Sequence, residues 1–223
     1  MTDAGALTTW LVLAALALVP LLLMTATSFA KIAVVLSLLR NALGVPDVPS
    51  GALVTALAAL LSVFVMAPVA RESAARAAPF AARIDLAAPL AGASRTALLD
   101  TLDAAVPPLA AFLRRNAGGA ELALFAELGQ RTRPGQQGPA LAADSLLVLL
   151  PAFLITELGE AFAVGLLVLL PFVVLDLVIG SILLSLGMSG LTPNTVALPF
   201  KLLLFVLVDG FSVLSRALIA GYQ

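Results

Sequence analysis

Long uncharged stretches and one charged segment set the pattern of this chain. Residues 7–30 carry no charge, and residues 52–69 form a second uncharged stretch of 18 residues. An 18-residue helix is about 27 Å long, close to the roughly 30 Å hydrocarbon core of a bilayer. A turn rich in Pro and Gly, residues 44–51, lies between them. Residues 1–69 are therefore predicted to form a first membrane hairpin of two helices.

The apolar pattern returns at residue 145 and continues almost to the C-terminus. Residues 145–188 would make a helix of about 66 Å, twice what a bilayer needs, so we expect a long helix that is broken, or two pieces, with bends at residues such as Pro151 and Pro171. A last span over residues 196–220 pairs with it. Residues 145–223 are thus predicted as a second hairpin, with a kinked long helix and a C-terminal helix.

Residues 70–144 differ sharply, since they carry 15 of the 25 charged side chains. Leucines at three- and four-residue spacing predict an amphipathic helix, which we expect to break at Pro107 and Pro108. A second short helix is predicted over residues 121–128. The sequence therefore predicts an all-α, integral membrane-type protein: two long helical hairpins with an inserted small, polar, mainly helical segment.

Short basic loops indicate the orientation of the hairpins. Lys31 and Arg40 flank the first turn, and Lys201 follows the last one. This places both hairpin tips in the cytoplasm and residues 70–144 in the periplasm.

Composition excludes most other classes of protein. Hydrophobic residues make up 61% of the chain and charged residues 11%, with a mean hydropathy of +1.12. A soluble domain carries about 25% charged residues, and disordered chains are polar. The net charge of −1 offers no basic patch for nucleic acid. The chain has no Cys and no His, so the usual metal ligands and general bases are missing; we expect no enzyme activity, no cofactor and no metal site.

Several charged residues lie where a membrane makes them expensive, and the sequence allows more than one interpretation of each. Asp176 and Lys201 meet if the last two helices are antiparallel; they form a structural ion pair, or else part of an ion path. Glu157 and Glu160 share a helix face and need either a wet surface or cations from a partner chain. Lys31 and Arg40 are interpreted as interface residues whose charged ends reach the headgroups.

Particular segments closely resemble the bacterial type III secretion and flagellar export-gate pore subunit family (FliP/SctR). The longest are Thr27–Gly44, Leu170–Val178 and Leu198–Gly210, and shorter matches lie between them in the same order. They extend from about residue 20 to the C-terminus.

The resemblance implies the pore-forming core subunit of a protein export gate. Several copies, typically five, would assemble with two other small hydrophobic export subunits into a closed channel for unfolded proteins. The assembly would lie in the bacterial inner membrane, raised toward the periplasm. Charges in the apolar stretches would then be buried or contact neighbouring subunits: Lys31, Arg40, Glu157, Asp176, Lys201 and Asp209.

The resemblance also implies a gasket at the turn after Leu186, where many family members carry a run of methionines. Here the turn is Gly187, Met188, Ser189, Gly190 and Leu191, so only Met188 matches. Soft methionine packing suits a seal that must yield and close again.

Three functions remain as alternatives to a subunit of the virulence-type system. The first is the flagellar export gate. The second is a stand-alone small transporter, with Asp176, Lys201 and Glu157 as its charged residues. The third is an intramembrane enzyme, for which Asp176 and Asp209 would form the only dyad, although they flank the hairpin at unlike depths.

Overall fold

The computed structural model describes residues 10, 17, 20–45, 49–85, 92–131, 144–188 and 190–222, and most of these residues are in helices. No strand occurs within these ranges. Residues 20–25 are helical, and seven further helices follow: α1 (Phe29–Leu43), α2 (Gly51–Ala81), α3 (Gly92–Asn116), α4 (Gly119–Arg131), α5 (Leu146–Ser185), α6 (Pro193–Leu207) and α7 (Gly210–Ala220). The prediction of an all-α, membrane-type chain is confirmed.

Three of these helices are long and apolar enough to cross a membrane: α2, residues 94–116 of α3, and α5. The bent pair α6–α7 would be a fourth span. Residues 94–116 belong to the segment 70–144, which we predicted to lie outside the membrane because of its many charged residues. The uncharged stretch of residues 52–69 also continues as one helix to Ala81, because alanines and charged residues with good helix propensity follow it.

Two predictions about helix breaks were wrong. α3 passes through Pro107 and Pro108 without a break, and α5 is a single helix of 40 residues. In α3, Phe112 and Leu113 lie about one turn beyond the prolines and are both buried, so packing holds the helix across a local cost of about 3 kcal/mol for each interior proline.

A third prediction was wrong in the opposite direction, because the last span is not one helix. α6 begins with Pro193 at its first turn, as helices favour, and is separated from α7 by a bend of 58°. Asp209 at the bend has φ 50° and ψ 50°, the left-handed conformation that ends a helix.

The chain divides into two compact units. The first comprises residues 1–28 and 66–156, and the second residues 29–65 and 157–223. In the first, the rings of Phe112 and Phe153 lie 5.7 Å apart, and Ser73 donates a hydrogen bond of 2.8 Å to the carbonyl of Ala105.

The core of the second unit is built around α1. Its buried positions recur every three or four residues, at Ile32, Val35, Leu36, Leu39 and Leu43, so one stripe of the helix faces inward. Side chains from α2, α5, α6 and α7 complete the same core, among them Val54, Ala161, Phe172, Phe205, Leu214 and Leu218.

The bend between α6 and α7 depends on a close approach at Gly210. The buried ring of Phe205 packs against the α-carbon of Gly210, in space that a Cβ atom would occupy. The same ring meets Phe211 edge to face, with 4.8 Å between centroids. We expect Gly210→Ala to lower the free energy of unfolding of the detergent-solubilised chain by about 1–3 kcal/mol, because the buried ring has to move.

Gly159→Ala is the matched control. Gly159 also lies within a helix, α5, but a Cβ atom there meets no heavy atom within 4 Å, so this change leaves stability unchanged or raises it by about 0.5–1 kcal/mol. Equal thermal melting of the two variants would contradict the role assigned to Gly210.

Candidate functional site

A buried lysine joins α1 to α5 in the second unit. The Lys31 Nζ atom lies 3.0 Å from Glu157 Oε1 and 2.6 Å from Glu160 Oε2. The side chains of Lys31 and Glu157 are 6% and 1% exposed, whereas that of Glu160 is 57% exposed. One cation therefore faces two carboxylates, and one of the two is reachable from outside this chain.

Tyr222, two residues beyond the end of α7, completes this cluster. Its hydroxyl donates a hydrogen bond to Glu157 Oε2, and its ring lies under Lys31, with 4.5 Å from Nζ to the ring centroid. A cation above an aromatic face is attracted by the ring quadrupole. The cluster of Lys31, Glu157, Glu160 and Tyr222, the lysine–glutamate cluster, thus links α1, α5 and the C-terminal residues.

A second ion pair links α5 to α6. Lys201 Nζ lies 2.7 Å from Asp176 Oδ2. The lysine side chain is 3% exposed and also donates a hydrogen bond of 3.2 Å to the carbonyl oxygen of Ala42 at the end of α1. A longer hydrogen bond of 3.5 Å reaches Asn194 Oδ1 at the start of α6. The structure thus brings together the two charges that an antiparallel arrangement of the last helices predicts.

Local pattern placed Lys31 at a membrane interface, whereas the resemblance implied a buried or intersubunit charge; neither identified its partners. Lys31 does not reach an interface but is buried, so the snorkelling interpretation was wrong for this residue. We expected Glu157 and Glu160 to need either a wet surface or cations from a partner chain. The cation is instead Lys31, from α1 of the same chain, and Glu157 is buried beside it. No local pattern relates residue 31 to residue 157, because the pairing depends on how α1 packs on α5. Tyr222 carried no signal beyond being the sole tyrosine.

Arg40 and Asp209 lie elsewhere. Arg40 is half-buried in the last turn of α1, and Asp209 is exposed at the bend between α6 and α7. Neither forms an ion pair with another residue of the described ranges. The charged groups of both residues can therefore bind a partner outside the described residues.

The turn after α5 ends the helix with a Schellman motif. Gly187 has φ 71°; its N–H donates to the carbonyl of Leu184, and the N–H of Met188 donates to that of Leu183, each over 3.0 Å. This pattern needs a left-handed residue, which glycine adopts without strain. Met188 and Leu191 are 44% and 47% exposed on the turn, while Ser189 lies outside the described residues.

Comparison with known proteins identifies the family. Residues 12–218 match the FliP family. The chain belongs to the FliP family. The resemblance inferred from the segments around Lys31, Asp176 and Lys201 is therefore confirmed.

Named relatives come from both branches of the family. The chain is 44% identical to the "Hypersensitivity response secretion protein HrcR" of Ralstonia nicotianae over 94% of each chain. It is 42% identical to the "Yop proteins translocation protein R" of Yersinia pestis, over 95% of this chain and 94% of the relative. The "Flagellar biosynthetic protein FliP" of Pectobacterium carotovorum subsp. carotovorum is 38% identical over 96% of this chain and 78% of the relative. Together with its long apolar helices, this family membership makes the chain a multi-pass membrane protein.

The lysine–glutamate cluster predicts unequal effects of mutation. Lys31→Met leaves the Glu157 carboxylate buried without its cation, and we expect a loss of about 3–5 kcal/mol in the free energy of unfolding. Glu160→Gln removes a carboxylate that is more than half exposed, so we expect a loss of about 1 kcal/mol or less. Thermal melting and chemical denaturation of the chain in detergent measure both.

A double variant separates the loss of the pair from the burial of a lone charge. Lys31→Met/Glu157→Gln has no unpaired charge at the buried position and keeps an oxygen acceptor for Tyr222, so it recovers most of the stability that Lys31→Met loses. A double variant as unstable as Lys31→Met would contradict this assignment.

Proposed function

We propose that this chain is the pore-forming core subunit of a type III protein secretion export gate. The observation that carries the proposal is similarity over nearly the whole chain: secretion proteins at 42–44% identity align over at least 94% of it, and so over Lys31, Glu157, Glu160, Asp176, Lys201 and the turn after α5. Its substrates are unfolded proteins that pass through the assembled channel.

The length of α5 supports an assembly of several subunits. Forty residues make a helix of about 60 Å, whereas the hydrocarbon core is roughly 30 Å thick. Large apolar side chains are exposed along its whole length, from Leu147 (68%) through Leu166 (59%) to Leu184 (75%). Lipid in one bilayer can cover about half of this helix, so neighbouring protein subunits are the natural cover for the remainder.

In this proposal several copies, five by the family pattern, assemble with two other small hydrophobic export subunits. The assembly lies in the bacterial inner membrane and is raised toward the periplasm, which agrees with a helix too long for the bilayer. The charges of Asp209 and Glu160, which remain accessible in the single chain, are candidates for contacts between subunits. Lys31, Glu157, Asp176 and Lys201 are neutralised within the chain, which favours a structural role for them over a transport path.

The division of the chain into residues 1–69, 70–144 and 145–223 belongs to the same proposal. The first and last regions supply the packed helices of the second unit. The middle region is assigned to the periplasmic side on its charges, and residues 94–116 within it would then be covered by other subunits instead of lipid.

The virulence-type branch is favoured over the flagellar one. The two secretion proteins are 42–44% identical over 94% of their own lengths, whereas the flagellar relative is 38% identical over 78% of its length; further secretion-type relatives, at 38–39%, equal the flagellar one in identity but align over 93–99% of their lengths. We expect in-frame deletion of the gene to abolish secretion of type III substrates into the medium and to leave swimming motility intact.

Complementation makes that experiment specific. The wild-type chain restores secretion, and so does Gly159→Ala, whereas Lys31→Met does not. Loss of motility on deletion would indicate the flagellar branch instead. If secretion and motility both survived the deletion, a stand-alone transporter would become the better explanation.

The turn of residues 187–191 is proposed as the gasket of the closed channel. Met188 and Leu191 supply the exposed apolar groups, and this turn has less methionine than many family members. We expect the double variant Met188→Gly/Leu191→Gly to let small dyes enter resting cells that express the complete secretion system, because the apolar barrier is lost. Met188→Leu keeps the apolar volume and serves as the control; a leak in both variants, or in neither, would contradict the role of these side chains.

A further inference from the structure

A groove on the second unit is lined mainly by apolar side chains. It has a volume of about 570 Å³ and lies among α1, α2 and α7. Leucines make up much of its wall: Leu36, Leu39, Leu43, Leu53, Leu57 and Leu60. A volume of this size is typical of sites for ligands larger than an ion.

Two arginines reach the same groove from different helices. Arg40 comes from α1 and Arg216 from α7, and Ser212 and Ser215 line the wall beside Arg216. No acidic residue lies among the residues that line the groove, and neither arginine forms an ion pair within the described ranges. The groove therefore combines a long apolar wall with two positive charges that this part of the chain leaves unbalanced.

We propose that this groove binds an anionic phospholipid. The phosphate is held by Arg40 and Arg216 with help from the serine hydroxyls, and an acyl chain lies along the leucines. Guanidinium groups match phosphate oxygens in two-pronged hydrogen bonds. Basic pockets between membrane helices are recognised sites for anionic headgroups.

The combination of two positive charges and an apolar wall favours an anionic phospholipid over a free phosphate ion or a neutral lipid. A free phosphate ion would leave the leucine wall in water, and a neutral lipid would leave two guanidinium groups without counter-charge. A phospholipid with a net negative charge satisfies both halves of the groove at once. The proposal does not depend on the export function, and its test uses lipid binding alone.

The test is a titration of the purified full-length chain in detergent. Phosphatidylglycerol and phosphatidylcholine with the same acyl chains are added, and bound lipid is measured by native mass spectrometry and by the rise in Tm. We expect phosphatidylglycerol to bind more tightly than phosphatidylcholine. In Arg40→Gln/Arg216→Gln its affinity falls about 30-fold, since each basic residue contributes about 1 kcal/mol.

Three variants keep the result specific. Arg95→Gln/Arg115→Gln removes two arginines outside the groove and leaves the affinity unchanged. Ala56→Trp fills the groove while both arginines remain, and it also weakens binding if the acyl chain lies there. Arg216 is exposed on α7, so Arg216→Gln alone folds normally and lowers the affinity about fivefold.

Several outcomes would overturn the proposal. Equal binding of the two lipids, or an unchanged affinity in Arg40→Gln/Arg216→Gln, would exclude an anionic headgroup at this place. Competition by inorganic phosphate with unchanged binding in Ala56→Trp would indicate an anion site without an acyl chain. A change in oligomer mass in the arginine variants, with lipid affinity unaffected, would mean that a second copy of the chain occupies the groove.

Discussion

The burial of Lys31 beside Glu157 is the constraint on which the helix packing of the second unit depends. Each charge alone would cost several kcal/mol to remove from water, so neither helix can bury its own charge without the other. The pair therefore fixes which face of α1 meets α5. Lys201 imposes the same condition on α6, because its ammonium group needs both the Asp176 carboxylate and the carbonyl oxygen of Ala42. Apolar contacts alone are less selective, since many rotations of a leucine-rich helix bury similar area.

This reasoning explains why charges persist in a chain so rich in apolar residues. Between helices in lipid, the usual hydrophobic driving force is weak, because lipid tails are as apolar as the side chains they would replace. Packing and polar contacts must then specify which helices associate. In this chain Lys31 and Lys201 specify which helices associate. Glu160 lies beside Lys31 and remains more than half exposed. The same cluster can thus order the chain internally and still present a negative charge to a neighbour.

The sequence predicted the parts of the fold that depend on local pattern. The helix over residues 52–69 and the short helix near residue 121 follow from composition and periodicity, whereas much of the first predicted span, residues 7–30, and the middle of the predicted turn, residues 46–48, lie outside the described residues. The pairing of Asp176 with Lys201 could be anticipated because a short turn brings their helices together. The partner of Lys31 could not be found in this way, since it lies 126 residues away along the chain and is selected by tertiary packing.

The continuous helices through Pro107 and Pro171 were missed for a related reason, because buried neighbours outweigh the local propensity of proline. The bend at Asp209 was missed because the left-handed residue is an aspartate and the requirement for Gly210 comes from the ring of Phe205.

The two ends of α6 illustrate how packing separates rigid parts from yielding ones. At its C-terminal end, Gly210 packs against the buried ring of Phe205, which leaves no space for an added Cβ atom. At its N-terminal side, Gly187 and Gly190 have no heavy atom within 4 Å of an added Cβ atom, and the side chains of Met188 and Leu191 are exposed. A segment with few buried contacts opens at low free-energy cost, whereas a core element opens only near the global cost of unfolding. In the proposed channel, which would have to stay closed and still admit a passing chain, this combination would be useful: helices held in register by buried ion pairs, and between two of them a short apolar turn with few contacts of its own.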